Sequence, residues 1–219
     1  MDELTERLQR LDCCAVSDAL DALELPPAIE GIAPLTVARP IAGRSVTVRL
    51  GSDAPGGGTT RHLGTAAVEA AGPGDVIVVE HRSRDDCAGW GGVLSTGASL
   101  KRVEGVVIDG AARDIDEARQ LDFPVYGRKA IAVTARGRVY EQSCNEPVTI
   151  GGVTVTPGDY LVADSSGIAV IPKDAAGEVI ALAEKIAGKE KLMVDELRKG
   201  RPITEVMGLD YEKMLGNQD

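Results

Sequence analysis

The sequence predicts a single-domain α/β protein, and three observations support this fold class. The 219-residue chain is 43% hydrophobic but only 3% aromatic, so its core must be built mainly from Val, Ile, Leu and Ala. Residues 106–108 are consecutive and β-branched, which is typical of a strand buried on both faces. Between Asp174 and about Lys199, apolar residues recur at helical spacing. Since no long linker divides the chain, we expect one domain over residues 1–219.

The first part of the chain alternates between predicted helices and strands. Leucines share one face of residues 2–11, which predicts a helix, and Ser17 is a favourable N-cap for a second helix. The elements predicted next are, in order, a Pro-rich connection at 25–35, a strand at 43–50, a loop at 51–62, a helix at 63–71, a turn and strand at 72–80, a glycine-led helix at 90–102, a strand at 105–109 closed by an Asp-Gly turn, a short helix at 114–121 and an extended segment at 123–128.

The pattern changes after residue 129. Short alternating runs separated by Gly and Pro turns extend to about residue 172, which indicates a β section rich in hairpins. C-terminal helices follow from about residue 174: one long helix to about 199, and a last helix over about 204–215.

Composition argues against several classes of partner. The net charge of −10 and the scarcity of aromatic residues leave neither a basic stripe nor a stacking platform for nucleic acid. No stretch approaches the ~18 apolar residues of a membrane helix. The four cysteines lack C-x-x-C spacing, and the N-terminus lacks an apolar signal region. We therefore expect a reduced, cytoplasmic protein without a membrane partner.

Familiar catalytic motifs are missing. The glycines at 56–58 are followed by Thr-Thr-Arg, which does not fit a phosphate-binding P-loop and predicts a plain loop. Two histidines, His62 and His81, are too few for a His-rich metal site, and solvated loop positions are expected for them. Ser165 and Ser166 lack the G-x-S-x-G context of a hydrolase and are predicted to form a turn.

Arg113 and Asp114 form the strongest candidate site. One interpretation is structural: Asp114 caps the following helix, and Glu117 reaches back to complete a capping box. This account leaves Arg113 unexplained. A guanidinium is a planar fork that suits a carboxylate, and a carboxylate without nearby His or Cys suits a hard divalent ion that retains several waters. Both interpretations stay open at this point.

A second candidate is the stretch from Trp90 to Ser95. Gly91 and Gly92 precede a predicted helix, and the free N–H groups of a helix start can bind an anion. The alternative is an ordinary glycine-rich helix start with Trp90 packed in the core. Together, the two stretches would provide amides, a guanidinium and a metal-binding carboxylate.

In combination, these stretches resemble the RraA-like family, which includes the 4-hydroxy-4-methyl-2-oxoglutarate and 4-carboxy-4-hydroxy-2-oxoadipate aldolases. The resemblance spans nearly the whole chain and is most specific between Trp90 and Arg128. The matching segments are VSDAL (16–20), GPGDVIVVE (72–80), WGGVLSTGA (90–98), GVVIDGAARDIDE (105–117), FPVYGR (123–128) and GDYLVADSSGIAVIP (158–172).

The resemblance implies an α/β/β/α-type sandwich like the swivelling phosphohistidine domain, assembled as a homotrimer or hexamer with sites between subunits. It implies a metal-dependent aldolase that releases pyruvate from a 4-hydroxy-2-oxo acid, with oxaloacetate decarboxylation as a side activity. By this resemblance, Asp114 binds Mg²⁺ or Mn²⁺ and Arg113 contacts the keto oxygen. The backbone of Gly91, Gly92, Val93 and Leu94 holds the pyruvyl carboxylate. Glu190, from a neighbouring subunit, assists as a catalytic group.

One departure from the family pattern bears on function. Many aldolase members have Asp or Glu at the position of Gly92, near the water shell of the metal. The RraA regulators of ribonuclease E lack the metal-binding acid that Asp114 matches, so Asp114 favours the enzyme. The alternatives are a non-enzymatic regulator that binds a protein partner, or a lyase acting on another 2-oxo or sugar acid.

Overall fold

A curled sheet with helices packed on its outer face forms the protein, seen here as a computed structural model that describes residues 2–54 and 62–207. The helices are α1 (Glu3–Leu8), α2 (Cys13–Ala22), α3 (Thr65–Ala70), α4 (Gly92–Leu100), α5 (Ile115–Gln120), α6 (Ala176–Arg198) and α7 (Ile203–Val206), with a 3₁₀ turn at Lys173–Ala175. The strands are β1 (Ala33–Pro34), β2 (Ile41–Gly51), β3 (Asp75–Trp90), β4 (Gly105–Ala112), β5 (Val125–Gly127), β6 (Lys129–Ala130), β7 (Tyr140–Cys144), β8 (Val148–Ile150), β9 (Val153–Val155), β10 (Tyr160–Ala163) and β11 (Ile168–Ile171).

The centre of the sheet is parallel and its edges are antiparallel. The strand order is β1-β5-β4-β3-β2-β10-β11, with β6 beside β4 and β7 beside β2. Strands β2, β3, β4 and β5 pair in parallel, while β1 and β10 join this block in the antiparallel sense. The hairpin β8–β9 forms a separate small sheet. The carboxyl ends of β3 and β4 consequently lie side by side, where α/β proteins bind their ligands.

Alternation along the strands divides the core into three clusters. The first cluster lies beneath α3, α4 and α5, and a second lies beneath α1, α2 and α6. The third fills the inside of the curl and includes the hairpin β8–β9. Tyr126 of β5 donates its hydroxyl to Ala163 O at the end of β10, 3.2 Å away, although three strands separate β5 from β10 in the sheet. The molecule therefore has four layers: one layer of helices, two layers of strands and a second layer of helices. This arrangement confirms the predicted α/β sandwich.

Most predicted elements are present, but several local predictions are wrong. The cap of α2 is Asp12, whose side chain accepts the N–H of Ala15, so Ser17 lies inside the helix. The predicted Asp-Gly turn at 109–110 is part of β4, which continues to Ala112. Residues 131–139 contain no strand. The glycines at 56–58 and residues 208–215 of the predicted last helix lie outside the described residues.

Two buried acids hold the hairpin β8–β9 against the sheet. Glu80 of β3 accepts the N–H of Thr149 at 2.8 Å, and Asp109 of β4 accepts the N–H of Gly151 at 3.3 Å. Asp109 also forms an ion pair with Arg128. Since an unpaired buried charge would be costly, these contacts account for acids within otherwise apolar strands.

The side chain of Trp90 fixes the start of α4. Trp90 is 2% exposed, and its indole N–H donates to Ser95 Oγ at 2.9 Å. The hydroxyl of Ser95 in turn donates to Gly91 O at 3.2 Å. These bonds join the last residue of β3, the N-cap of α4 and the first turn of the helix.

We predict that Ser95→Ala lowers the free energy of unfolding by about 1–3 kcal/mol, because it leaves the buried indole N–H without an acceptor. Urea unfolding followed by far-UV circular dichroism measures the change. The matched control is Ser99→Ala in the same helix. The hydroxyl of Ser99 has no hydrogen bond within the described residues, so a change within about 0.5 kcal/mol is expected. Equal losses in the two variants would contradict the anchoring role.

Candidate functional site

The pairing of β3 with β4 brings the two candidate stretches together. Trp90 at the end of β3 is in register with Ala112 at the end of β4. One residue further on, the N–H of Arg113 donates to Trp90 O at 3.0 Å. The glycine-led start of α4 and the Arg113–Asp114 pair therefore lie at the same edge of the sheet, as expected for neighbouring parallel strands.

Asp114 does not cap its own helix through its side chain. Its backbone adopts the left-handed conformation, with φ of 57° and ψ of 40°, and its carboxylate makes no capping hydrogen bond to α5. Oδ2 instead accepts the N–H of Gly92 at 2.9 Å, and Oδ1 accepts Arg113 Nε at 3.1 Å. The predicted capping box with Glu117 is therefore wrong, and the carboxylate is directed to the start of α4.

Arg113 is held by this carboxylate and retains free donors. Its side chain is 38% exposed, and only Nε is engaged within the described residues. The two Nη groups carry four N–H bonds, which are available to an incoming oxygen. The guanidinium is thus oriented from one side and open on the other.

The backbone at the start of α4 offers further donors. Gly91 is the N-cap and provides no side chain, and α4 follows directly from Gly92. The N–H groups of Val93 and Leu94 have no acceptor within the helix because they belong to its first turn. The side chain of Leu94 is buried in the core beneath α4, whereas that of Val93 is 87% exposed. The N–H of Gly92 is already used by Asp114, so Val93 and Leu94 are the better donors for an anion.

The space at both glycines is occupied by acidic side chains. A Cβ on Gly91 would lie 2.9 Å from Asp114 Oδ2, and a Cβ on Gly92 would overlap Glu117 Oε2. Any side chain at either position would thus require these carboxylates to move.

An open depression lies in front of the pair. Its volume is about 540 Å³, and it is lined by Arg113, Asp114, Ile115, Asp116, Glu117 and residues 130–132. The backbone of residues 130–132 is fixed by β6, which pairs with β4, and by the Ile131 N–H, which donates to Ala112 O at 2.9 Å. The depression can admit a small acid, with guanidinium and carboxylate groups on one wall.

The donor chemistry of this wall fits a hard divalent cation. Each oxygen of Asp114 accepts one hydrogen bond and keeps a further lone pair, and the side chain is 28% exposed. The described residues contain no group of three or more His, Cys, Asp and Glu arranged to enclose a metal. Mg²⁺ commonly binds through one or two carboxylates and keeps several waters, so Asp114 is a suitable ligand.

Glu190 is not brought to this site within one chain. It lies on α6, which packs on α1 and α2 in the second core cluster, whereas α4 and α5 cover the first. Partial burial raises the pKa of Glu190, and the nearby carboxylates of Asp12 and Asp18 raise it further. Its predicted role requires a second copy of the chain and stays a prediction.

Other titratable groups have structural positions that the sequence did not reveal. His81 lies in β3 rather than in a loop, and burial lowers its pKa while the ring bonds to Cys87 O at 2.9 Å. Cys13 is buried, and burial raises its pKa to about 12. Cys14, in contrast, is exposed. Ser166 lies in the predicted turn, where its N–H donates to Asp164.

No helix in the described part of the chain combines the length and the hydropathy that crossing a bilayer requires.

Comparison with known proteins finds a relative of similar length and a much longer relative. A protein of Halalkalibacterium halodurans named "Putative 4-hydroxy-4-methyl-2-oxoglutarate aldolase" is 33% identical over 204 residues, which is 91% of this chain and 90% of that protein. Protein DlpA of Legionella pneumophila is 31% identical over 180 residues, or 82% of this chain. The match spans only 29% of the length of DlpA.

The fold is shared with a solved structure. The crystal structure of Streptomyces coelicolor RraAS2, described as an unusual member of the RNase ES inhibitor RraA protein family, superposes with a TM-score of 0.81. Its sequence is 25% identical, and the match covers 90% of this chain and 98% of RraAS2. The RraA-like family model, described as Aldolase/RraA, matches residues 13–170. The chain therefore belongs to the RraA-like family.

Proposed function

We propose that the protein is a divalent-metal-dependent aldolase that cleaves a 4-hydroxy-2-oxo acid into pyruvate and a second oxo compound. The observation that carries the proposal is the joint geometry of Arg113 and Asp114. One carboxylate orients the guanidinium and the start of α4 together, and the free Nη groups border an open depression. The name of the Halalkalibacterium relative supports the same chemistry.

The reaction requires charge stabilisation at a defined oxygen. Base removes the proton of the C4 hydroxyl, the C3–C4 bond breaks, and its electron pair moves to C3 and onto the 2-keto oxygen. Protonation at C3 then gives pyruvate, while C4 becomes the carbonyl of the second product. Loss of CO₂ from oxaloacetate produces the same enolate, so decarboxylation is the expected side activity.

Each role in this reaction is assigned to particular residues of the chain. The Nη groups of Arg113 donate charge-assisted hydrogen bonds to the keto oxygen as it becomes negative. The N–H groups of Val93 and Leu94 bind the carboxylate of the pyruvyl half. Asp114 holds Mg²⁺ or Mn²⁺, which supplies a Lewis acid when bound. Glu190 of a second copy is the candidate base by the resemblance to the family, and partial burial raises its pKa.

We predict that pyruvate release from oxaloacetate and from 4-hydroxy-4-methyl-2-oxoglutarate depends on Mg²⁺ or Mn²⁺. Demetallated protein in EDTA should lose activity, and adding back either ion should restore it. Coupled lactate dehydrogenase assays measure the pyruvate. Undiminished turnover by fully demetallated protein would rule out the metal-dependent mechanism.

Arg113→Ala is expected to lower kcat by about 10²–10³, the typical cost of losing a donor to a developing oxyanion. Binding of Mn²⁺, measured by titration calorimetry, should stay close to that of the unmodified protein because Arg113 is not a ligand. The matched control is Arg119→Ala on α5, whose side chain does not line the depression and whose guanidinium contacts Asp116 and Leu35 O. Comparable losses of kcat in both variants would argue against a specific role of Arg113.

Asp114→Asn is expected to abolish both Mn²⁺ binding and metal-stimulated turnover, because an amide cannot replace the carboxylate as an anionic ligand. Asp122→Asn is the control, since Asp122 is exposed and also adopts a left-handed conformation, with φ of 50°. Thermal unfolding confirms that both variants fold. Metal binding that survives Asp114→Asn would place the ion elsewhere.

A second candidate function is inhibition of a ribonuclease of the RNase E type. The structural similarity to RraAS2 and the net charge of −10, suited to a basic partner, favour this candidate. A ribonuclease assay with the purified chain distinguishes the two functions. Inhibition together with no turnover of any 2-oxo acid would favour the regulator.

A further inference from the structure

The side chain of Glu117 occupies the space that Gly92 leaves open. Built onto Gly92, a Cβ would overlap Oε2 of Glu117 and would lie 3.0 Å from its Cδ and 3.1 Å from Asp114 Cβ. A carboxylate oxygen thus lies within the space that any side chain at position 92 would enter. The resemblance to the aldolases implies an acid at this position, where this chain has glycine.

The backbone explains how Glu117 reaches this position. Asp114 is the N-cap of α5 and Glu117 lies in its first turn, and both residues approach Gly92 at the start of α4. Glu117 is exposed to solvent, and within the described residues its side chain has no hydrogen bond or ion pair. Its position next to Gly92 is therefore not explained by a structural ion pair.

Two acidic side chains beside the same glycine favour a cation near them. Asp114 and Glu117 both contact the space around Gly92, and like charges that share a site repel each other. Arg113 offsets part of this charge through its bond to Asp114 Oδ1. A divalent ion on the open side would offset the rest, either directly or through its waters.

We propose that Glu117 replaces the acid missing at position 92 and acts as a positioning residue for the water shell of the cation bound by Asp114. The proposal rests on the proposed metal-dependent function and deepens it. The carboxylate accepts hydrogen bonds from waters on the cation side of Asp114, and this contact orients them toward the depression. The acidic group has thus moved from α4 to α5 while keeping its place in space.

The test is a Mn²⁺ titration of the complete protein without substrate, followed by electron paramagnetic resonance and water proton relaxation. Glu117→Gln should raise the Kd for Mn²⁺ by about 10–100-fold, the usual effect of removing an outer carboxylate from a metal site. Asp122→Asn is the charge-matched control, because Asp122 is an exposed acid that follows α5 and does not line the depression. The Kd of this variant for Mn²⁺ should change by no more than about 2-fold, since exposed charges contribute little.

A swap variant provides a measurement that would not change if Glu117 had only a structural role. In Gly92→Asp/Glu117→Ala, the acid returns to α4, where the space vacated by the truncated Glu117 side chain can receive it. Recovery of the Mn²⁺ Kd and of the relaxation enhancement to within about 3-fold of the unmodified protein is expected, since a 3-fold change is less than 1 kcal/mol. Failure of the swap to improve on Glu117→Ala alone would overturn the proposal.

The design separates the failure of this proposal from that of the proposed function. Mn²⁺ binding that requires Asp114 but is unchanged in Glu117→Gln would overturn the role of Glu117 alone. Absence of Mn²⁺ binding in the unmodified protein would overturn both. Thermal unfolding of each variant establishes that the fold is retained, which is expected because Glu117 is exposed.

Discussion

The carboxylate of Asp114 is the contact on which the arrangement of the site depends. It accepts one hydrogen bond from the backbone of α4 and one from the side chain of Arg113, and so joins the loops that follow β3 and β4. The parallel pairing of these strands places both loops at one edge, but pairing alone does not orient a side chain. Asp114, whose backbone is left-handed, does so because its carboxylate bonds to Gly92 and Arg113 and makes no capping bond to α5. Such a conformation is tolerated by Asp more readily than by most residues.

The two glycines of the α4 start are required by the same contact. With side chains at Gly91 or Gly92, the carboxylates of Asp114 and Glu117 would have to move. The glycines thus let two acidic groups approach the first turn of a helix, where backbone N–H groups favour negative charge. The helix start can hold a substrate anion as well, because its remaining N–H groups belong to Val93 and Leu94. The proposed site would thus bind an anion and a cation side by side in an acidic chain.

The curl of the sheet separates this site from the other helical layer. Tyr126 and the buried acids Glu80 and Asp109 join parts of the chain that are distant in strand order, which keeps the inner cluster closed. Asp12, Asp18 and Glu190 lie together on the side of α2 and α6. A site that uses both layers therefore needs two copies of the chain, which is consistent with the predicted sites between subunits.

The sequence by itself determined the α/β class and most elements, because strand periodicity and glycine position are local properties. It also singled out residues 90–94 and 113–114 as candidate site residues. It was ambiguous about Asp114: a capping residue and a metal ligand have the same local pattern, and only the packing of α5 beside α4 decided where the carboxylate points. It also misplaced Asp109 in a turn, since an Asp-Gly pair cannot reveal a distant hairpin that supplies hydrogen bonds to a buried acid. The proximity of Glu117 to Gly92 was decided by tertiary structure alone, because it joins residues 25 positions apart through the pairing of two strands.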